Sequence, residues 1–193
     1  MASPLTGHTL VYGGSFNPPH MGHQLACRYV LDVLGAQALW VVPVYSHPFG
    51  KDLVSFEHRV QMCRLMVEPF GDRAWVNTIE QDLPDPVRTF ELFTALKQEY
   101  PDRDFAMLMG ADLLAERERW YRFEDLEKLV KIVVVERKGT EVSTDEGIFK
   151  AELPQVSSRE VRSRLEADES VEGLVPLSIQ DYLSKEALYN GSP

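Results

Sequence analysis

The stretch "LVYGGSFNPPHMGH", residues 10–23, decides the fold, because it leads from the end of an apolar segment into the start of an amphipathic one. Gly13 and Gly14 directly follow the apolar segment. Glycines at such a place permit a tight turn and let backbone amides approach a ligand closely. Their spacing differs from the GxGxxG pattern of dinucleotide-binding proteins, which has no place for the prolines and histidines. The stretch therefore predicts a strand, a tight turn and a helix, in that order.

Two histidines, His20 and His23, flank the expected first turn of this helix, which we predict to begin near Met21 or Gly22. Unpaired N–H groups and the helix dipole favour an anion at such a turn, and two imidazoles would add donors to phosphate oxygens. A capping histidine beside a packing histidine is an alternative that the pattern leaves open. Zinc is a further alternative, but no Cys or His stands at a spacing that suggests a third ligand, so we expect no metal site built from protein ligands.

Short apolar runs alternate with segments of helical periodicity along the chain. We predict strands at residues 9–12, 38–44, 74–79, 104–109 and 131–135. We predict a first helix that ends at Gly35. Further helices are predicted at residues 59–67, 89–100, 158–166 and 177–188. This alternation predicts an α/β fold with a doubly wound, mostly parallel, Rossmann-like sheet, helices on both faces and ligands at the carboxyl ends of the strands. Residues 138–152 are polar and aperiodic, so we expect a surface loop that returns the chain to the sheet edge.

Length and composition limit the class of protein. The 193 residues, 44% of them hydrophobic, suit a single domain over 1–193 whose C-terminal part, about 157–190, is helical. A net charge of −10 argues against nucleic acid as a partner. Cys27 and Cys63 form no CxxC pair, and we expect them to be buried, reduced thiols. No segment resembles a membrane span or a signal peptide, so we expect a soluble, cytoplasmic protein without a membrane partner, and a homo-oligomer is left open.

A second motif, "VSSREVRSRL" at residues 156–165, also predicts a helix N-terminus that can bind an anion. Ser157 followed three residues later by Glu160 is a capping-box pattern. The hydroxyls of Ser157 and Ser158, the first backbone amides of the helix and Arg162 one turn later could together bind a triphosphate. An ordinary capped surface helix, with Glu160 paired to the arginine four residues on, is the alternative at this point.

Taken together, the two motifs resemble the HxGH and ISSTxxR motifs of the nucleotidylyltransferase superfamily. Within it the chain is similar, nearly end to end, to the bacterial nicotinate mononucleotide adenylyltransferases, through "FEHRVQMCRLMV", "RTFELFTALKQEYPDRDFAMLMGADLL", "RWYRFEDL" and "GLVPLSIQDYLSKEALY". The resemblance implies an enzyme of NAD biosynthesis that transfers AMP from ATP to nicotinate mononucleotide, with release of pyrophosphate. It also implies Mg²⁺ carried with ATP and no covalent enzyme intermediate.

The resemblance further implies a role for each residue that matches the family pattern. The residues expected to contact the reacting phosphates, and so to be catalytic, are His20, His23 and Arg162. The other residues expected to bind ATP are Gly14, Ser15, Phe16, Asp112, Ser157 and Ser158. Those expected to bind the acceptor are His47 and Lys51 near its phosphate, and Thr89, Trp120 and Tyr121 near its pyridine ring. Read without the family, Asp112 would be a helix N-cap, and Trp120 a core residue.

The chain departs from the family pattern at three places. After the second strand the family usually carries Pro-Pro-His-Lys, where this chain has "VYSHPFGKDL" with His47 and Lys51 at altered spacing. This departure leaves open another acceptor, such as nicotinamide mononucleotide, phosphopantetheine or a cytidylyl acceptor, or else a nucleotide-binding sensor without turnover. Arg159 replaces the usual Thr of the second motif, and Asn17 replaces the common Asp while keeping a turn-forming side chain.

Overall fold

The computed structural model describes residues 3–46, 53–110, 113, 116–136, 148–151 and 153–190. Within these residues the strands are β1 (His8–Gly14), β2 (Ala38–Pro43), β3 (Ala74–Val76), β4 (Asp104–Gly110), β5 (Lys131–Glu136) and β6 (Ile148–Lys150). The α-helices are α1 (Met21–Asp32), α2 (Phe56–Val67), α3 (Thr89–Glu99), α4 (Phe123–Leu129), α5 (Ser158–Glu166) and α6 (Leu177–Lys185). Short 3₁₀ helices cover Glu68–Arg73, Ile79–Asp82 and Arg117–Arg119.

The strands form one parallel sheet in the order β3-β2-β1-β4-β5-β6. The chain begins in the middle of the sheet at β1, builds outward to β3, and then crosses to β4 on the other side of β1. Strand order therefore reverses between β1 and β4, and ligands of such sheets bind in the crevice at that point. The predicted α/β, doubly wound, Rossmann-like sheet is confirmed.

Side chains of the strands alternate between two apolar clusters, one on each face of the sheet. In β2, Leu39 and Val41 face one cluster, while Trp40 and Val42 face the other. The first cluster takes buried side chains from α1, α2, α5 and α6, and the second from α3 and α4. Both faces of the sheet are thus covered, which explains why the strands read as continuous apolar runs rather than as alternating ones.

The predicted boundary of the first helix is confirmed. Helix α1 begins at Met21 and ends at Asp32, and Gly35 then reverses the chain with φ +71. A side chain is disfavoured at such a φ, so glycine suits this position. Cys27 of α1 and Cys63 of α2 are both fully buried and unpaired, as predicted. Burial raises the pKa of both thiols, which makes them unreactive core residues.

Several sequence-based boundaries were wrong. Residues 138–152 are not a loop throughout, because Ile148–Lys150 pair in parallel with β5 as β6, and Phe149 packs against the first cluster. Helix α2 starts at Phe56 rather than at residue 59, since Ser55 accepts a hydrogen bond from the His58 N–H and caps it. Helix α4 was not predicted; it has only two buried residues, Phe123 and Leu126, too few for a clear period.

Four further segments are shorter than predicted. Strand β2 ends at Pro43 rather than at residue 44. Strand β3 ends at Val76, because Ile79 already lies in a 3₁₀ helix. Helix α6 ends at Lys185 rather than at residue 188, and α3 ends one residue before Tyr100. None of these shifts changes which strand precedes which helix. Among the described residues, no helix is long and apolar enough to cross a membrane.

Candidate active site at the carboxyl ends of the strands

The predicted anion site lies where β1 ends and α1 begins, beside the crevice between β1 and β4. His20 directly precedes α1 and has extended backbone, with φ −141 and ψ 175. The Met21 N–H donates to the carbonyl of Leu174 at 2.8 Å, so the start of α1 is attached to the segment before α6. The structure therefore places the histidine pair at a helix N-terminus that distant parts of the chain hold in position.

The two histidine rings lie against each other. Their centroids are 3.7 Å apart with an interplanar angle of 27°, and His20 is only 2% exposed whereas His23 is half-buried. The backbone N–H of His20 donates to Nδ1 of His23 at 3.1 Å. Because that nitrogen accepts, a neutral His23 ring carries its proton on Nε2. A proton on Nε2 makes His23 a donor, which suits a phosphate oxygen.

The glycine between the histidines is required by packing. A Cβ on Gly22 would lie 3.1 Å from the imidazole of His20 and 3.4 Å from the carbonyl of Pro154. The buried His20 ring has little room to move, so a side chain at this position would displace it. The glycine of the His-x-Gly-His motif is thus explained by the packing of the His20 imidazole on the first turn of α1.

The aromatic rings of Tyr12, Phe16 and His23 pack together at the turn between β1 and α1. Phe16, 2% exposed, lies edge-on to Tyr12 and to His23, with ring centroids 5.4 and 5.0 Å apart respectively. Its φ of +45 is a strained conformation for a residue with a side chain, and burial of the ring offsets that cost. Gly14 is a glycine because a Cβ there would lie 3.2 Å from the Phe16 ring.

The second motif packs directly against the first. Ser157 caps α5 by accepting the Glu160 N–H at 3.1 Å, as the capping-box pattern predicts. The Ser158 hydroxyl donates to the carbonyl of Pro18 at 2.8 Å, and Arg162 Nη1 donates to the carbonyl of Asn17 at 2.6 Å. The structure thus brings the predicted phosphate-binding residues of both motifs to one place.

Ser157, Ser158 and Arg162, which we predict to bind phosphate, each also form a hydrogen bond within the protein. Glu160 and Arg164 lie 3.5 Å apart, so the ion pair of the alternative interpretation is present too. Ser158 and Arg162 each use one donor on the loop after β1, while the guanidinium of Arg162 has further N–H groups. Arg159 is exposed, and no described contact gives it a role.

Asn17 connects three segments that are far apart in the sequence. Its Oδ1 accepts from the Tyr189 hydroxyl at 2.5 Å and from the Val54 N–H at 3.2 Å, and its backbone carbonyl accepts from Arg162. These contacts use the side chain only as an acceptor, a role that Asp would perform equally well. An Asp at this position could accept the same two bonds on its side chain.

Arg59 of α2 was missed as a site residue by sequence reasoning. Although only 2% exposed, it donates to four backbone carbonyls: those of Ser15 at 3.2 Å, Val44 at 2.6 Å, Tyr45 at 3.3 Å and Val54 at 3.0 Å. A signal was present in the sequence, because Arg59, Cys63 and Met66 share one helical stripe. A charged residue on the apolar stripe indicates a buried group with specific partners.

Glu80 is a second buried charged residue near this edge of the sheet. It is 6% exposed, and its Oε2 accepts the backbone N–H of Tyr45 at 2.9 Å. Burial raises the pKa of Glu80 to about 7, although the Tyr45 N–H and the charge of Arg59 act in the opposite direction. Glu80 and Arg59 therefore hold the same short segment, directly after β2, from two sides.

The residues predicted to receive the pyridine ring lie at the start of α3 and before α4. Thr89 is the first residue of α3, and Arg88 before it stacks its guanidinium on the ring of Tyr121 at 4.6 Å. Trp120 is half-buried and packs edge-on against Phe123 with ring centroids 6.1 Å apart. The Arg88–Tyr121 contact brings the two halves of the predicted acceptor site together.

Three predicted site residues, His47, Lys51 and Asp112, lie outside the described residues, and their roles stay predictions. No cluster of three or more His, Cys, Asp or Glu side chains that could hold a metal occurs among the residues that the structure describes. Arg59 and Arg162 are cations that donate to backbone carbonyls of the loop after β1. They place positive charge at this loop in a protein whose net charge is −10.

Comparisons with known proteins agree with this geometry. A family model described as cytidylyltransferase-like matches residues 11–164, a range that includes both motifs up to Arg164. A probable nicotinate-nucleotide adenylyltransferase of Anaeromyxobacter dehalogenans (strain 2CP-1) is 38% identical over 181 residues, which are 93% of this chain and 95% of the relative. The nicotinate-nucleotide adenylyltransferase of Bacillus subtilis is 30% identical over 183 residues, 93% of this chain and 96% of the relative.

The fold is also found among solved structures. The Plasmodium falciparum nicotinic acid mononucleotide adenylyltransferase, solved in complex with NaAD, aligns with a TM-score of 0.79 at 21% identity, over 94% of this chain and 97% of that one. The chain therefore belongs to the cytidylyltransferase-like family of nucleotidyltransferases and, within it, to the nicotinate-nucleotide adenylyltransferases. This confirms the family resemblance that the two motifs indicated.

Proposed function

We propose that the protein transfers the adenylyl group of ATP to nicotinate mononucleotide, which yields nicotinate adenine dinucleotide and pyrophosphate. The observation that carries this proposal is the junction of the two motifs, where Ser158 and Arg162 of α5 donate to the loop that ends in His20. That junction collects two imidazoles, a guanidinium and two helix N-termini around the carboxyl end of β1. Such an arrangement suits a polyphosphate.

In the proposed reaction a phosphate oxygen of the acceptor attacks the α-phosphorus of ATP. The new O–P bond forms as the bond between the α-phosphorus and the bridging oxygen breaks, and pyrophosphate leaves with that bridging oxygen. The protein supplies no nucleophile, so its contribution is to position the two nucleotides and to stabilise charge on the phosphates. His23, with its proton on Nε2, and Arg162 are the donors that we assign to those oxygens.

The metal enters this proposal as part of the substrate, Mg²⁺ bound to ATP. Magnesium bound to ATP would offset negative charge on the phosphates and would need few protein ligands of its own. The described residues fit this form of the substrate, because they offer cations and amides rather than a set of carboxylates. The histidines and Arg162 would then contact the oxygens that the ion leaves exposed.

The acceptor site is the part of the proposal that depends most on relatives. The guanidinium of Arg88, the residue before Thr89, lies on the ring of Tyr121, the residue after Trp120, and an aromatic face stacks well on a flat pyridine ring. The relatives at 30–38% identity are named for the nicotinate nucleotide, and the neighbouring solved structure was determined with NaAD. Both observations support a nicotinate nucleotide as the acceptor.

The deciding experiment measures pyrophosphate release by the purified protein with Mg·ATP and one acceptor at a time. Nicotinate mononucleotide, nicotinamide mononucleotide and phosphopantetheine are compared at equal concentrations. Release with the nicotinate nucleotide, at a kcat/KM well above the other two, is the expected result. Faster release with another acceptor would overturn the choice of substrate, and no release with any of them would indicate a nucleotide-binding protein without turnover.

A further inference from the structure

The chain segments that follow β1 and β2 run side by side beyond the ends of the strands. The parallel pairing of the two strands ends with Gly14 opposite Pro43, and the Val44 N–H then donates to the carbonyl of Gly14 at 3.0 Å. The segment after β1 contains the loop that we assign to the ATP phosphates. The segment after β2 begins at Val44 and lies directly beside it.

Arg59 joins these two segments through a single nitrogen. Its Nη1 donates both to the Ser15 carbonyl after β1 and to the Val44 carbonyl after β2, at 3.2 and 2.6 Å. The other donors of the same planar group bind Tyr45 and Val54. Because the guanidinium is rigid and buried, these bonds fix the spacing of the segments more tightly than flexible or exposed contacts would.

Glu80 acts on the second segment only. It accepts the Tyr45 N–H, while Arg59 Nη2 donates to the Tyr45 carbonyl, so both polar backbone groups of this residue bind buried charged side chains. The ring of Tyr45 nevertheless stays 45% exposed and rests edge-on against Phe56 with centroids 5.0 Å apart. A fixed backbone thus carries an accessible aromatic side chain at the ligand-binding edge of the sheet.

We infer that Arg59 and Glu80 are positioning residues for adenylyl transfer. Arg59 sets the distance between the ATP phosphate loop and the segment after β2, and Glu80 fixes Tyr45 so that its ring contacts the acceptor nucleotide. This inference rests on the proposed function, because it takes the segment after β2 as part of the acceptor site. A small shift of either segment displaces the nucleotide that this segment contacts, so it weakens binding of that nucleotide and also lowers turnover, because in-line transfer tolerates little misplacement of the reacting groups.

The test separates the two substrates by steady-state kinetics of pyrophosphate release. Glu80→Ala removes the acceptor of the Tyr45 N–H and is expected to raise the KM for the acceptor nucleotide by about tenfold, the usual scale for a lost buried hydrogen bond, while the KM for ATP stays unchanged. Glu80→Gln keeps an oxygen that accepts the N–H, and should restore the acceptor KM. Arg59→Lys keeps the charge but not the planar fork, and should raise both KM values.

Two further variants test whether Glu80 changes the acceptor KM through Tyr45. Tyr45→Ala should raise the acceptor KM as Glu80→Ala does, and the double variant should be no worse than either single one, because both act through the same contact. Ser170→Ala is the control, since Ser170 also accepts a backbone N–H, that of Glu172 at 3.2 Å, in a turn away from the segments after β1 and β2. It should lower stability without changing either KM.

The outcomes distinguish the inference from the function on which it rests. If wild-type protein does not use nicotinate mononucleotide, the proposed substrate fails, and the variants are compared with the acceptor that the protein does use. The inference is overturned if Glu80→Ala changes both KM values equally, if it changes neither, or if Ser170→Ala reproduces its effect.

Discussion

The Tyr189 hydroxyl donates a hydrogen bond to Asn17 Oδ1 across 172 positions of the chain, at 2.5 Å. This bond connects the segment after α6 to the loop between β1 and His20. The same oxygen accepts the Val54 N–H, and Arg162 holds the carbonyl of the same residue. The shape of the phosphate loop is therefore determined by residues from three separate parts of the chain.

Tyr189→Phe should weaken both the fold and the ATP site. The variant loses one donor but leaves Asn17 with its bond from Val54, so we expect a loss of about 1 kcal/mol in the free energy of unfolding, measured by urea denaturation. The KM for ATP should rise as the loop relaxes. Tyr182→Phe is the matched control, because it loses a 2.7 Å bond to His58 and does not contact the loop. An unchanged KM for ATP in Tyr189→Phe would contradict the connection.

His23→Ala should lower kcat by about a hundredfold or more, the usual scale for the loss of one transition-state donor. The ring is half-buried against Phe16, so some stability is lost as well, but the β1–α1 unit keeps its other contacts. Circular dichroism and the KM for ATP establish that the variant is folded and binds substrate. Near-normal turnover of a folded variant would show that His23 has no direct part in the reaction.

Gly22→Ala should reduce turnover with little change in stability. The added Cβ would lie 3.1 Å from the His20 ring, which is buried and has little freedom to move, and would push it away from the position that the stack with His23 requires. Alanine also has less conformational freedom than glycine in the unfolded chain, a gain in stability of roughly 0.4–1 kcal/mol that offsets part of the clash. The check is kcat beside the thermal midpoint of the same preparation. Unchanged kcat would mean that the His20 ring adapts to the extra atom.

Trp120→Ala should weaken binding of the acceptor far more than binding of ATP. The indole packs edge-on against Phe123, at the place assigned to the pyridine ring. Trp75→Ala is a suitable control, because Trp75 in β3 is also a half-buried indole, packed on Trp40, and its loss should lower stability without a change in acceptor KM. An equal loss for ATP and acceptor in Trp120→Ala would place the pyridine site elsewhere.

Glu80→Gln should change how stability depends on pH. Burial raises the pKa of Glu80 to about 7 in the folded protein, above its value of ~4.3 in an unfolded chain. Between these values the folded state binds more protons than the unfolded state, so this group's contribution to stability is present below about pH 4 and is lost as pH rises through about 7.

Glutamine does not titrate, so the stability of Glu80→Gln relative to wild type should increase from about pH 5 to about pH 8, by an amount on the order of 2 kcal/mol. Urea denaturation of both proteins across this range measures the difference. Glu118→Gln, at an exposed position, serves as the control. A difference that stays constant with pH would show that Glu80 titrates in its usual range.

The parts of the site that were predictable from sequence are those recorded in side-chain identity. His20, His23 and Ser157 lie at helix N-termini, as the spacing of glycines, prolines and capping residues indicates. The role of Asn17 as a junction was not predictable, because its partners Val54 and Tyr189 come from distant segments that no local pattern connects. Long-range contacts of this kind follow from the fold as a whole.

Arg59 illustrates a second limit. Its position on an apolar stripe indicated burial, but all four of its partners are backbone carbonyls, which every residue type provides. Strand β6 was missed for a related reason, since a three-residue strand at the sheet edge is too short for its alternation to be recognised in a polar stretch.

The carbonyl partners of Arg59 have an evolutionary consequence. A substitution at Val44, Tyr45 or Val54 leaves the peptide oxygen in place, so these positions can drift to other residues without loss of the contact. The arginine has no such freedom, because a lysine cannot reproduce its fork. Relatives that use different acceptors are therefore expected to retain this arginine while the side chains around it differ. A new acceptor specificity can then arise without a change in the backbone hydrogen bonds of Arg59.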